Sequence, residues 1–108
     1  MADDRREGMI KVPTVLRNRK TGEIACGILR NAYDIEYYGA YWWEDNETAE
    51  SRVSYLLNEV LRVYEEESDW ELLEVRDERL KMFNVKLNND TRRRLYLNAD
   101  GTIIIQKG

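Results

Sequence analysis

Val53-Ser54-Tyr55-Leu56-Leu57-Asn58-Glu59-Val60-Leu61-Arg62-Val63-Tyr64 is the stretch on which the fold turns. Val53, Leu56, Leu57, Val60, Leu61 and Tyr64 recur at steps of three, one, three, one and three, which puts all six on one stripe of an amphipathic helix. Asn46 has the chemistry of an N-cap, and Glu47 and Glu50 complement the positive end of the helix dipole, so the expected helix runs over 47–66. Arg62 stands three residues from Glu59 and four from Glu66, spacings at which charges on a helix meet. The far end breaks a local rule. Glu65, Glu66 and Glu67 crowd the negative end of the dipole, where cations would be favoured.

Working outward, no other stretch has that periodicity. Upstream, Ile10, Val12, Thr14 and Leu16 alternate as on one face of a strand, with Pro13 on the other face suggesting an edge position or a bulge. Asn18-Arg19-Lys20-Thr21-Gly22 has turn chemistry, and Glu23 to Arg30 returns as a second strand, which makes an N-terminal hairpin. Residues 33–43 fit two templates. At period 2, Tyr33, Ile35, Tyr37, Gly39, Tyr41 and Trp43 share a face; at helical spacing Tyr33, Tyr37 and Tyr41 also align. Aromatic and β-branched enrichment favours a strand, with Gly39 as a bulge or a point of close approach. Downstream, Trp70 to Arg76, Leu80 to Leu87, Arg92 to Leu97 and Thr102 to Gln106 read as strands. Asp100-Gly101 supplies the positive φ of a tight hairpin between the last two. The order β-β-β-α-β-β-β-β predicts an α+β fold, an antiparallel sheet with one amphipathic helix packed on one face. Residues 1–8 read as a flexible tail and 9–108 as a single domain.

A three-residue loop at Asn88-Asn89-Asp90 would put Phe83, Val85, Leu87, Leu95 and Leu97 on one sheet face. The opposite face would collect Lys86, Arg92, Arg94 and Tyr96, with Arg93 beside them: a basic, anion-binding patch with a ring for stacking. Ile103 and Ile105 would share that outer face, available to a homodimer, while Ile104 would point to the core.

The charge is segregated. Residues 34–78 hold fifteen of the 21 carboxylates against Arg52, Arg62 and Arg76, and the other fourteen cations lie in the flanks. The acidic block opens on an aromatic entry, Tyr37-Tyr38-Gly39-Ala40-Tyr41-Trp42-Trp43, and seven Tyr and three Trp stand against one Phe. Tyr and Trp are the aromatics favoured where one edge of a ring meets a partner.

Several chemistries are disfavoured. With no histidine and one cysteine, Ser-His-Asp and Cys-His catalysis fall away, and a zinc site is unexpected. No phosphate-cradling glycine loop or calcium loop is present, so no cofactor or metal is expected. A carboxylate pair such as Glu36 and Glu44 is what glycoside cleavage needs, but among so many acids such pairs arise by chance, and the chain reads as a non-enzyme. Cys26 has no intrachain disulfide partner and lies in an apolar run, which suits a small core residue in a reducing, cytoplasmic setting. No stretch approaches the roughly 20 apolar residues of a membrane span.

The expected function is therefore a small protein-interaction module, an inhibitor or adaptor, that presents an acidic and aromatic surface to a basic partner. Tyr37, Tyr38, Tyr41, Trp42, Trp43, Glu44, Asp45, Glu59, Glu65, Glu66, Glu67 and Asp69 are its candidate residues. In its sharpest form the acidic spacing mimics nucleic acid and blocks a nucleic-acid-binding protein. One alternative is direct nucleic-acid binding through Lys86, Arg92, Arg93, Arg94 and Tyr96, against which the overall acidity counts. Another is ligand or peptide binding by the Tyr33 to Trp43 aromatics.

Overall fold

A computed structural model describes residues 12–60 and 67–108 of the chain. The elements are β1 (Thr14–Asn18), β2 (Cys26–Arg30), β3 (Glu36–Ala40), β4 (Trp42–Trp43), α1 (Asn46–Tyr55), a π-helical turn (Leu56–Val60), a 3-10 turn (Glu67–Asp69), β5 (Trp70–Glu74), α2 (Asp77–Leu87), β6 (Arg93–Leu97) and β7 (Ile103–Lys107). The fold is α+β and every strand pair is antiparallel. The strands divide among a β4-β1-β5 sheet and the pairs β2-β3 and β6-β7, and the described residues include two α-helices where one was expected. The expected N-terminal tail, Ile10, and Leu61 and Tyr64 of the helical stripe lie outside the described residues.

β1 divides two cores. Adjacent strand residues point to opposite faces, and here both faces are covered: Val15 opposes Leu73 while Leu16 opposes Leu72. Val15 packs with Phe83, Leu87, Leu95 and Leu97 beneath α2. Leu16 packs with Ala25, Leu56 and Leu57 beneath α1. The edge-strand expectation is thus corrected. Pro13 precedes β1, so its missing N–H removes no ladder bond, and its carbonyl accepts from Val75 N at 2.9 Å. Thr14 is fully buried and its hydroxyl oxygen has no hydrogen-bond partner.

The N-terminal hairpin forms only at its turn. Asn18 Oδ1 accepts from Lys20 N and Thr21 N, and Gly22 adopts φ +83°. After the Arg17↔Ile24 bridge the chain leaves β1, and Cys26 to Arg30 pairs with β3 instead. The strand reading of 33–43 holds for β3 and β4. Gly39 is a point of close approach, since a Cβ there would stand 2.7 Å from Asn84 Oδ1. Ala40 N donates to that oxygen at 3.0 Å and Tyr38 N to Asn89 Oδ1 at 2.7 Å, so side chains from α2 and its cap satisfy the outer edge of β3.

α1 starts one residue earlier than expected. Asp45, not Asn46, is the N-cap, its Oδ1 accepting from Thr48 N at 2.7 Å. The α-helix passes into the π turn at Leu56; Leu56 and Leu57 are buried, while Val60 is 44% exposed and leaves the core stripe.

Leu80 to Leu87 is a helix rather than a strand. Leu80, Phe83 and Leu87 are its buried residues, at the spacing of one helical face, whereas Val85 is 68% exposed. Asp77 and Glu78 occupy the favourable first turn, and Asn88 ends the helix in the left-handed region at φ 54°. The expected hairpin about Asn88-Asn89-Asp90, with Val85 on a shared sheet face, therefore does not exist.

The last hairpin forms as expected but with a different loop. Asn98 N donates to Thr102 O and Gly101 takes φ +91°, so the loop is the three residues Ala99, Asp100 and Gly101 rather than a turn running from Asn98 to Gly101. An odd loop length reverses the expected parity of β7. Ile103 opposes Leu97 and Ile105 opposes Leu95, so both face the core, and Ile104 is the outward residue, 41% exposed. Among the described residues no helix is long and apolar enough to cross a membrane.

Candidate functional site

The aromatic entry to the acidic block builds an open groove between β4 and α1. Trp42 and Trp43 are consecutive on a strand, so one must turn outward as the other turns in. Trp43 packs on the α1 core, and Trp42 is left 41% exposed. Tyr41 is fixed beside them by its amide, which donates to Ala25 O at 2.9 Å, and by its ring lying over Gly27, where a Cβ would overlap the hydroxyl. Burial raises the Tyr41 pKa above its ordinary value, and nearby Cys26 adds to the effect. Across the groove, α1 and the π turn contribute Arg52, Tyr55 and Val60, and Tyr55 is 64% exposed. The cavity so formed is about 390 Å³.

Carboxylates flank this groove without filling it. Glu44, Glu47 and Glu59 are exposed residues of the segments that line it. Asp45 is committed to the α1 cap, which fixes the angle at which the helix leaves the tryptophan pair. Other acidic residues are paired with nearby cations. Asp69 lies 3.3 Å from Lys20, and Glu71 lies 2.7 Å from Arg17 and 3.9 Å from Arg19. Arg30 holds both Asp34 and Glu36. Glu67 opens the 3-10 turn, and Glu65 and Glu66 fall outside the described residues.

Tyr37 and Tyr38 do not join the groove rim. Tyr37 opposes Leu29 on the β2-β3 pair. Tyr38 packs on the α2 core and its hydroxyl donates to Arg93 O at 2.7 Å; burial, then Cys26 and Glu23, push its pKa up to about 12.

The basic strand face is not assembled. Lys86 belongs to α2, Arg92 to the turn after it, and Arg94 and Tyr96 to β6. Each arginine has a local acid. Arg92 donates from Nε and Nη2 to Asp90, Arg93 Nε lies 3.7 Å from the same carboxylate, and Arg94 forks onto Glu23 at 3.0 and 3.1 Å. The Arg92 hydrogen bonds pull the Asp90 pKa down to about 2. Tyr96 opposes Ile104. A strand reading of Leu80 to Leu87 had placed Lys86 on this face, and the helix removes it.

Tyr55, Arg52, Val60 and Leu29 were missed from the sequence as groove residues. Tyr55 carried a usable signal, since it sits off the apolar stripe of α1 yet is large and aromatic. Val60 carried none, because its place on the stripe is altered by the π turn. Cys26 is a core-facing thiol, its pKa raised to about 12 by burial and by Glu23. Among the described residues no three Cys, Asp or Glu side chains converge as metal ligands would. No protein-family model, curated protein or solved structure matches this chain.

Proposed function

We propose that the chain is a non-catalytic protein-interaction module, an inhibitor or adaptor, that seats an apolar or aromatic anchor of a basic partner in the groove formed by Trp42, Tyr55 and Val60. One observation carries the reading. Large side chains that could close over one another instead line a shared concavity, held open by a capped helix on one side and by Tyr41 over Gly27 on the other. Aromatic residues set in a rigid frame are the usual energetic centre of an interface. Exposed Glu44, Glu47 and Glu59 would select cationic flanks on the partner and speed encounter. A cytoplasmic, reducing setting belongs to the same reading, supported by the lone, core-facing Cys26 thiol.

A nucleic-acid mimic would need its carboxylates in an unpaired row. Asp69 and Glu71 are instead held by the Arg17 to Lys20 turn, so the groove rather than a charge row supports the interaction. Direct nucleic-acid binding loses its single face for the same kind of reason, since Arg92, Arg93 and Arg94 are paired locally.

The test is site-specific photo-crosslinking in the native host. A benzophenone side chain replacing Tyr55 should give one dominant protein adduct, lost on Trp42→Ser and weakened by Glu44→Gln with Glu47→Gln. The same probe replacing Val85, on the α2 side of the molecule, should not give it. Equal adduct patterns from both positions, or a nucleic-acid adduct, would reject the reading.

A further inference from the structure

The outer edges of β3 and β7 are treated differently. The outer edge of β3 has its Tyr38 and Ala40 amides capped by Asn89 and Asn84. The outer edge of β7 has no such cover among the described residues. Its hydrogen-bond parity follows from the ends of the hairpin: Asn98 N donates to Thr102 O at 2.9 Å and Gly108 N to Arg92 O at 2.8 Å. Even-numbered β7 residues therefore bond to β6, and the N–H and C=O groups of Ile103, Ile105 and Lys107 face away from it. The segment Ile103-Ile104-Ile105-Gln106 carries no charge and no proline, the devices by which exposed edges are normally blunted. A two-stranded pair is also marginal by itself, and among the described residues β6 has backbone support on its other edge only around the Glu23↔Tyr96 bridge.

We propose that β7 pairs antiparallel with β7 of a second copy of this chain, about a two-fold axis at Ile104. The occupant is argued from self-complementarity. In this register Ile104 faces Ile104 of the second copy as a non-hydrogen-bonded pair, which covers the outward isoleucine of each. Ile103 faces Ile105 of the second copy, and both have the outward N–H and C=O that such a hydrogen-bonded pair requires. Thr102 meets Gln106. Lys107 reaches the Asp100-Gly101 turn of the other copy, where Asp100 supplies an opposite charge at both ends beside the Arg79 guanidinium. The neighbouring register centred on Ile105 would place Lys107 opposite Ile103 and leave Ile104 facing Gln106, so it is the poorer match. Two-fold pairing consumes both edges and closes, unlike the open stacking that an exposed apolar edge otherwise invites. The result is a four-stranded β6-β7-β7-β6 sheet with the groove of each copy left free.

Sedimentation equilibrium on the full chain tests this. The wild type should show a concentration-dependent dimer. Ile104→Lys, which sets two cations face to face on an outward position, should raise the dimer dissociation constant about tenfold or more while leaving the circular dichroism spectrum unchanged. In a Cys26→Ala background, Ile104→Cys should oxidise to a covalent dimer, because non-hydrogen-bonded cross-strand pairs bring the side chains close, and Gln106→Cys should not. A chain that stays monomeric at millimolar concentration overturns the proposal. So does an Ile104→Lys variant that dimerises as well as the wild type, or equal crosslinking at 104 and 106. A monomer whose Ile103 and Ile105 amides resist hydrogen exchange would assign the edge to another strand and likewise reject the dimer.

Discussion

Asn84 on α2 accepts a hydrogen bond from the buried Ala40 amide at 3.0 Å, so a helix side chain finishes a strand edge. Asn84→Ala leaves that buried donor without a partner, and the expected loss is about 1–3 kcal/mol of folding stability. Asn89→Gly keeps the left-handed backbone but removes the more exposed Tyr38 contact, and it should cost less. Urea unfolding midpoints of the two variants give the comparison, and equal losses would count against the burial argument.

Phe83 and Val85 separate a helix from a strand directly. On α2 they face different ways, so Phe83→Ala should cost about 3–5 kcal/mol and Val85→Ala within about 0.5 kcal/mol. On a strand they would share a buried face and both would be costly. Thermal or urea denaturation of the pair decides it.

Thr14 offers a gain in stability. Its hydroxyl is buried in β1 with no partner, and Val has nearly the same shape without the desolvated polar atom. Thr14→Val should therefore stabilise the fold by about 1 kcal/mol. A loss of stability would mean that the hydroxyl is satisfied in solution.

Cys26 and Tyr38 set the alkaline limit. Both are acids whose folded pKa is raised to about 12, from ordinary values of 9.0 and 10.0. Folding therefore favours their neutral forms. The stability tied to these protons is fully present below pH 9 and is lost as pH rises toward 12. The native thiol should react slowly with an aromatic disulfide reagent at pH 8 and rapidly once unfolded in urea. Cys26→Ala should move the onset of alkaline unfolding upward. A thiol equally reactive in native and unfolded protein would contradict the burial.

Much of this architecture was legible in the sequence, and the misreadings have local physical causes. The α1 stripe was unambiguous where Val53, Leu56 and Leu57 recur at helical steps. For Leu80 to Leu87 the two templates agree on the residues that matter most, since Phe83 and Leu87 are four apart and so share a face at period 2 and at period 3.6. Only Leu80 and Val85 discriminate, together with the Asp77-Glu78 first turn and the Asn88 stop. Three consecutive isoleucines carry no parity at all, and the odd length of the Gly101 loop decided which of them turned inward. In the candidate site, Trp42 and Trp43 were readable as an aromatic entry. The pairing of Arg92 with Asp90 and of Arg94 with Glu23 was not, because the first depends on the turn after a helix and the second on a bridge between distant segments.

β1, the strand between the two cores, also imposes an order of events on folding. Its longest ladder is with Trp70–Glu74, far along the chain from it, so that pairing waits until β5 is made. Contacts so distant in sequence close slowly. Val15 and Leu16, both fully buried at the end, would lack their β5 partners while β4 and α1 are already able to form, an interval in which an apolar strand is open to wrong partners. The speed and yield of refolding should thus be governed by when β5 arrives, and a substitution in β1 should be felt on both sides of the molecule at once.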